Sequence, residues 1–189
     1  MKKGFMFITS SGYDPEKGKR IKDPYLGDTP TLGACMPNVR KRVQPGDQIF
    51  VVSGSVPGVE QYVIAGFEVV EKIHATEAYI RFPHLRLHLA PDGQPRGNII
   101  VDAQGKQDEL DMHSSFERRL ENYIVGGDLV ALTAPTEISR GRRETVAVLR
   151  SVFRKSGKRP IDVIGRCSRL DEEQTIDIRQ WLLSIKRAA

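Results

Sequence analysis

Residues 45–53 read Pro-Gly-Asp-Gln-Ile-Phe-Val-Val-Ser, and this stretch decides the fold class. Its first three residues have the composition of a turn, and the apolar run after them is rich in β-branched and aromatic side chains. A second run, Tyr62-Val-Ile-Ala-Gly-Phe-Glu-Val-Val70, follows the Gly- and Pro-containing loop 54–58. The two runs predict a hairpin-like pair of strands, in which Gly66 marks a bulge or a close approach.

Other short strands are predicted on both sides of this pair. They comprise residues 4–9, 98–101, 122–125 and 129–133, with Gly126-Gly127-Asp128 as a turn between the last two. An irregular loop, 10–30, leads into a short helix within 31–43, where Pro37 suits the first turn, and residues 75–82 predict a helical turn. Short strands with irregular connections favour an α+β fold, a small β-barrel with peripheral helices, over a doubly wound sheet.

The C-terminal quarter predicts helices. Residues 144–153 have apolar side chains at spacings of three and four, at Val146, Leu149, Val152 and Phe153. Asp171 and Gln174 form a capping-box pattern, which predicts a helix start. The apolar face of that second helix is assigned to Ile176, Trp181, Leu182 and Ile185. We therefore expect a barrel domain at 1–139 and a basic helical extension at 140–189, packed on the same domain.

Charge is distributed unevenly along the chain. The 189 residues hold 29 Lys/Arg and 24 Asp/Glu, a net charge of +5. Residues 140–189 contain 13 Lys/Arg against 6 Asp/Glu, so the basic excess lies there. This asymmetry predicts a surface that faces a polyanion, and a solvated helix pair is the open alternative. The predicted phosphate-binding residues are Arg140, Arg142, Arg143, Lys155, Lys158 and Arg159.

Few residues suggest metal or redox chemistry. The only cysteines are Cys35 and Cys167, which argues against a disulfide framework and favours a reducing cytoplasm. His84 and His88 are four residues apart, but the Leu-Arg-Leu between them fits a strand at least as well as a helical zinc site. We expect no metal and no cofactor. The sequence has no apolar run near the ~18 residues of a spanning helix, so no membrane partner is expected either.

One group of residues is typical of a small binding pocket. The loop 10–30 and its neighbour contain Tyr13, Asp14, Tyr25 and Thr31, and the strand ending at Ser53-Gly54-Ser55 is expected to face them. Aromatic faces with a few hydrogen-bonding groups suit a flipped base. The alternative is that the two tyrosines fix the loop to the barrel.

The segment 31–51 resembles the nucleotide modification associated domain families of bacteria and phages. Their Thr-Leu-x-x-Cys-x-Pro-x-x-Arg pattern and following Gly-Asp turn are matched at Thr31, Leu32, Cys35, Pro37, Arg40, Gly46 and Asp47. The preceding loop departs from that pattern, since it carries Lys22-Asp23-Pro24-Tyr25. The resemblance covers about residues 20–70. It implies a PUA-like mixed β-barrel and a link to DNA modification or its sensing.

These observations together predict a non-enzymatic protein that binds a nucleobase, modified if the resemblance holds, in nucleic acid. DNA is favoured over RNA, and Thr31, Cys35, Arg40 and Ser53 are expected to line or brace the pocket. Arg40 is expected to pair with a phosphate or with Asp47. Two alternatives stay open. One is an enzyme acting on a nucleotide or base through Cys35, His113 or Asp14, and the other is a free-nucleotide sensor in phage defence.

Overall fold

The computed structural model describes residues 3–188, and this part of the chain has an α+β fold. The strands are β1 (Gly4–Gly12), β2 (Thr31–Leu32), β3 (Gln48–Gly54), β4 (Val63–Ile73), β5 (His88–Leu89), β6 (Pro95–Arg96), β7 (Tyr123–Ala131) and β8 (Cys167–Leu170). The helices are α1 (Pro37–Arg42), α2 (Ala75–Arg81), α3 (Glu117–Leu120), α4 (Pro135–Phe153), α5 (Pro160–Ile164) and α6 (Glu172–Arg187). The predicted α+β class, with helices in the C-terminal quarter, is confirmed.

Six of the strands form one mixed sheet in the order β2-β7-β4-β3-β1-β8. β1 runs parallel to β3, whereas the β1–β8, β3–β4 and β2–β7 pairs are antiparallel. β5 and β6 form a separate two-stranded sheet. The mixed sheet agrees with the predicted strand-rich architecture.

Contacts divide the chain into two compact units. Unit 1 comprises Met1–Ile21, Gly46–Glu68 and Asp128–Ala189, and unit 2 comprises Lys22–Pro45 and Val69–Gly127. The predicted boundary between residues 139 and 140 falls inside α4, and residues 140–189 belong to unit 1. Whether residues 1–139 form a domain without them stays a prediction.

The central hairpin of unit 1 is present as predicted. β3 and β4 pair with Phe50 opposite Gly66. A Cβ atom on Gly66 would lie 2.7 Å from the Phe50 ring, so the predicted close approach is confirmed. The strand β8 was not predicted, because its Cys-Ser-Arg-Leu sequence has no run of β-branched or alternating apolar residues.

The two long helices of unit 1 differ in how well the sequence locates them. α6 begins as predicted, because the Asp171 carboxylate accepts from the Gln174 N–H at 2.9 Å. Its apolar face contains Ile178 rather than Ile176, which is 47% exposed. α4 begins at Pro135, nine residues before the predicted start at Glu144, because Pro135 occupies the first helical turn and Glu137 caps it.

Unit 2 is built around a core between α2 and the neighbouring β-structure. Its buried side chains include Ile73, Ala78, Ile99, Tyr123 and Val125. The helix start at Pro37 and the helical turn after residue 75 are confirmed. Residues 98–101 make isolated bridges only, so the predicted strand there is wrong.

The predicted turn at 126–128 is also wrong, because β7 continues through it. Asp128 has a φ of +50°, which a short polar side chain tolerates, so the strand passes this point without reversing. Among the helices described, none has both the length and the apolar composition needed to cross a membrane.

Candidate functional site

The nine predicted pocket residues do not all belong to one unit. Unit 1 contains Tyr13, Asp14, Ser53, Gly54 and Ser55, and unit 2 contains Tyr25, Thr31, Cys35 and Arg40. Of the residues named by the enzyme alternative, Asp14 lies in unit 1, whereas Cys35 and His113 lie in unit 2.

In unit 2 a buried carboxylate organises the segment that carries the family resemblance. Asp23 accepts from three successive backbone N–H groups, those of Gly33, Ala34 and Cys35, at 2.9, 2.9 and 2.5 Å. Asn98 donates to the same carboxylate at 2.9 Å. These bonds satisfy a charged group that is costly to bury, so Asp23 fixes the backbone of the 33–35 turn.

Thr31 belongs to the same buried network. Its hydroxyl accepts from Asn98 Nδ2 at 2.9 Å, and the Asn98 carbonyl accepts from the Tyr123 hydroxyl at 2.8 Å. Burial raises the pKa of Tyr123 above its ordinary value. Thr31 and Asn98 are almost completely buried, so their polar groups are committed to the fold. Tyr25 lies beside them, with backbone bonds to Thr31 in both directions and its ring edge on His84.

Arg40 is the largest buried side chain of this unit and has no exposed surface. Its guanidinium donates to the carbonyls of Cys35, Glu121 and Asn122 at 3.1 Å each, and to that of Arg119 at 3.3 Å. Burial lowers the pKa of Arg40 to about 10, against the opposing influence of Asp23. The bonds to carbonyls give Arg40 a structural role, and Asp47, its expected protein partner, accepts instead from the Lys3 N–H.

In unit 1, Ser53 and Gly54 also serve the backbone. The Ser53 hydroxyl accepts from the Tyr62 N–H at 2.8 Å, and the Gly54 N–H donates to the Thr9 hydroxyl at 2.7 Å. A Cβ atom on Gly54 would collide with the Ser11 carbonyl, so this position requires glycine. Ser55 is exposed. The end of β3 therefore passes close to the backbone of β1 at Gly54, and of residues 53–55 only Ser55 is exposed.

Tyr13 and Asp14 lie in a cluster with Arg142, which is one of the predicted phosphate-binding residues. Arg142 donates to Asp14 at 2.8 Å and to Glu16 at 2.5 Å, and its guanidinium lies 5.7 Å from the Tyr62 ring centre. The Tyr13 and Tyr62 rings are 6.3 Å apart, and burial raises the pKa of both. The Tyr62 hydroxyl is buried, and its interaction with the Tyr13 hydroxyl contributes to both pKa values.

The six predicted phosphate-binding residues separate into two groups. Three are paired with acids: Arg140 with Glu144, Arg142 with Asp14 and Glu16, and Arg159 with Asp162. The other three, Arg143, Lys155 and Lys158, are exposed and have no acid within 4 Å in the described part of the chain. The second group is available to an anion.

One exposed face of α4 carries two arginines without an acid partner among residues 3–188. Arg143, Ala147 and Arg150 follow one another at spacings of four and three, and all are exposed. Arg154 is exposed too, but it follows the helix as its C-cap with a φ of +51°. Lys155 and Lys158 follow directly, and Arg166 and Arg169 are exposed beside β8. We use the name basic face for the seven exposed cations of residues 143–169 in unit 1 other than Arg159, which pairs with Asp162: Arg143, Arg150, Arg154, Lys155, Lys158, Arg166 and Arg169.

The two acids of the same segment have partners of their own, whereas Arg154 shares a cleft with Asp171, Glu173 and Asp177. Residues 143–169 contain only Glu144 and Asp162. Glu144 accepts from Arg140 at 2.8 Å and from the Trp181 indole at 2.9 Å, which fastens α4 to α6. Asp162 caps α5 and pairs with Arg159. Both carboxylates therefore already have hydrogen-bond partners within the protein.

The sequence already shows Arg150 and Arg154 in its densest basic cluster, within residues 140–159, whereas the signal for other members of these arrangements is weaker. Asp23 and Asn98 show no local pattern, because their partners lie up to 75 residues away. Comparison of the chain with protein-family models, with curated proteins and with solved structures finds no match.

Proposed function

We propose that this protein binds nucleic acid without catalysis and that the basic face of unit 1 holds the phosphate backbone. The observation that carries the proposal is the α4 row, that is, the exposed Arg143 and Arg150 of α4 with Arg154 directly after the helix. None of the three has an acid within 4 Å among the described residues. Cations that are exposed and unpaired gain from releasing counterions of a polyanion, whereas paired ones must first give up their acids.

The distribution of charge over the units supports the same proposal. Unit 1 contains 18 Lys/Arg and 13 Asp/Glu, whereas unit 2 contains 11 of each. The whole net charge of +5 therefore belongs to the unit that carries the basic face. A local concentration of one sign of charge accelerates encounter with an oppositely charged polymer.

The resemblance to the nucleotide modification associated families extends the proposal to a PUA-like fold and to a modified base as the preferred target. Within the predicted pocket set, Tyr13, Tyr25, Cys35 and Ser55 keep exposed surface. Thr31, Arg40 and Ser53 brace the backbone instead. Contacts of the basic face to phosphate would supply affinity without sequence preference.

The test compares two triple variants with the same change in net charge. The first, Arg143→Gln/Arg150→Gln/Arg154→Gln, removes the α4 row, and the control, Lys17→Gln/Lys19→Gln/Arg20→Gln, removes three exposed cations elsewhere in unit 1. Binding to a DNA duplex is measured over a range of salt concentrations. If all three substituted arginines contact phosphate, the slope of log affinity against log salt should be smaller by about 2.7 for the first variant than for the wild type.

The control variant is expected to change that slope much less. Equal loss in both variants would mean that net charge, rather than the α4 face, determines binding. Absence of binding to duplex DNA and to RNA at low salt would overturn the proposal, and tighter binding to RNA would replace DNA as the partner.

A further inference from the structure

Unit 2 contains a polar cleft that the proposed function does not use. Its volume is about 700 Å³, and it is lined by residues of α1 and of the segment 115–122. Clefts that bind small molecules have volumes of roughly 300–1,000 Å³, so this one has room for a ligand of nucleotide size.

The charges that line the cleft favour an anion. The lining contains three cations, Lys41, Arg118 and Arg119, and two acids, Glu117 and Glu121. Beneath them lies the buried Arg40, which donates to the carbonyls of Arg119, Glu121 and Asn122 and so holds the lining segment in place. Three cations therefore line the cleft against two acids, and the charge of Arg40 beneath it is opposed by that of Asp23.

Arg119 is a lining cation that lies close to the buried Arg40. Its charge lowers the pKa of Arg40, although burial and the opposing charge of Asp23 are the larger influences. The Arg119 guanidinium donates to the Ala34 carbonyl, but its buried Nε has no hydrogen-bond partner within residues 3–188. Arg118 and Lys41 have exposed side chains without an acid within 4 Å in that range.

Of the remaining lining residues, three are neutral and polar, and Pro37 is apolar. Asn38 and Asn122 contribute amides, and Ser115 contributes a hydroxyl. Ser115 and Asn122 have φ values of +89° and +60°, which are uncommon for residues other than glycine. Such groups suit hydroxyls of a sugar, and the described lining offers no aromatic face on which a base would stack.

We infer that this cleft binds the phosphate ester of a hydroxyl-rich small molecule, of the ribose phosphate type. Arg118, Arg119 and Lys41 would hold the phosphate, and the two asparagines and Ser115 would hold sugar hydroxyls. The ligand could arrive as a sugar phosphate or as the ribose phosphate part of a free nucleotide. The lining residues belong to unit 2, and the residues of the basic face belong to unit 1, so the two sets have no residue in common.

The experiment titrates the full-length protein calorimetrically with ribose 5-phosphate, adenosine 5′-monophosphate, ribose and inorganic phosphate. We expect both phosphate esters to bind at millimolar concentration or below, and ribose and inorganic phosphate to bind at least tenfold more weakly. If adenosine 5′-monophosphate binds more tightly than ribose 5-phosphate, the ligand is a free nucleotide. If the two bind equally, a sugar phosphate is sufficient as the ligand.

The variant Lys41→Gln/Arg118→Gln should weaken the binding of ribose 5-phosphate at least tenfold, because each cation makes charge-assisted bonds to phosphate. Both side chains are exposed, so the melting temperature should stay unchanged. The matched control is Lys106→Gln, an exposed cation of unit 2 outside the cleft, which should bind as the wild type does.

Failure of both esters to bind, or binding that the double variant leaves intact, would overturn the inference. Inorganic phosphate that binds as tightly as the esters would overturn the part of it that concerns the sugar. The same double variant should retain the salt slope of DNA binding, so failure here and failure of the proposed function give different results.

Discussion

The two units use their arginines in opposite ways. In unit 1 the arginines of the basic face are exposed, and the unit carries the entire net charge of +5. In unit 2 the opposite charges balance, and the most prominent arginine, Arg40, is wholly buried against backbone carbonyls. An arginine side chain is therefore exposed to solvent and to binding partners in one unit, whereas in the other it donates hydrogen bonds to backbone carbonyls.

This difference shows that environment, more than residue type, decides what a cation contributes. A buried guanidinium without partners would cost several kcal/mol, so Arg40 must be bonded and its bonds must matter for stability. An exposed arginine is already solvated and contributes little to folding. The comparison predicts that substitutions in the two units separate stability from binding.

Replacing Arg40 should have the largest effect. Arg40→Met keeps an apolar stem but leaves the carbonyls of Cys35, Arg119, Glu121 and Asn122 without this donor. We expect a loss of about 3–5 kcal/mol in the free energy of unfolding, measured by urea denaturation.

Arg42→Met is the matched control, because Arg42 is exposed in the same helix and should cost less than about 0.5 kcal/mol. Equal stability of the two variants would show that Arg40 does not support the fold and would return it to the set of ligand-binding candidates.

An intermediate effect is expected at Glu137, the buried acid of α4. Its carboxylate accepts from the N–H groups of Thr133 and Ala134 at 2.8 and 3.1 Å and pairs with Lys186 at 2.7 Å. Burial by itself would raise the pKa of Glu137, but the bonds from Lys186 and the two N–H groups outweigh it and lower the pKa. Glu137→Gln should lose about 1.5–3 kcal/mol at neutral pH.

Because the folded pKa is below the unfolded one, this stabilisation is complete above a pH of about 4.3 and disappears as the pH falls through the folded value. The difference in unfolding free energy between wild type and Glu137→Gln should therefore shrink in acid. Glu172→Gln, at an exposed position of α6, serves as the control. A difference that does not change with pH would contradict this account.

The smallest effect on stability should come from the basic face. Arg143→Gln and Arg150→Gln should each change the unfolding free energy by less than about 0.5 kcal/mol, since neither residue has an acid within 4 Å in the described chain. Chemical denaturation of each single variant provides the measurement. A loss above 1 kcal/mol would mean that these arginines pack against the protein and would weaken their assignment to phosphate.

The fold was predictable where local chemistry determines it. Apolar runs specify β3 and β4, Pro37 specifies the start of α1, and Asp171 with Gln174 specifies the start of α6. Prediction failed at Gly126-Gly127-Asp128, where turn-forming residues lie inside β7. It failed again at β8, whose strand conformation comes from pairing with β1 rather than from its own composition.

The candidate sites were less predictable than the fold. The basic segment is visible in the sequence, but which of its cations are paired depends on acids such as Asp14 and Glu16, more than 120 residues away. The carbonyl partners of Arg40 include residues 79–82 positions further along the chain. Backbone groups are the same in every sequence, so no pattern marks those that will accept from a distant side chain.

The pairing of β1 with β8 has a consequence for how the chain is made. Gly4 lies opposite Leu170, so one neighbour of β1 is β8, which leaves the ribosome long after it. The parallel neighbour on the other side, β3, is complete by residue 54. Both segments of unit 2 end by Gly127, whereas unit 1 still lacks everything from Asp128 onward at that point. During synthesis, the charge-balanced unit is thus complete in sequence before the basic one.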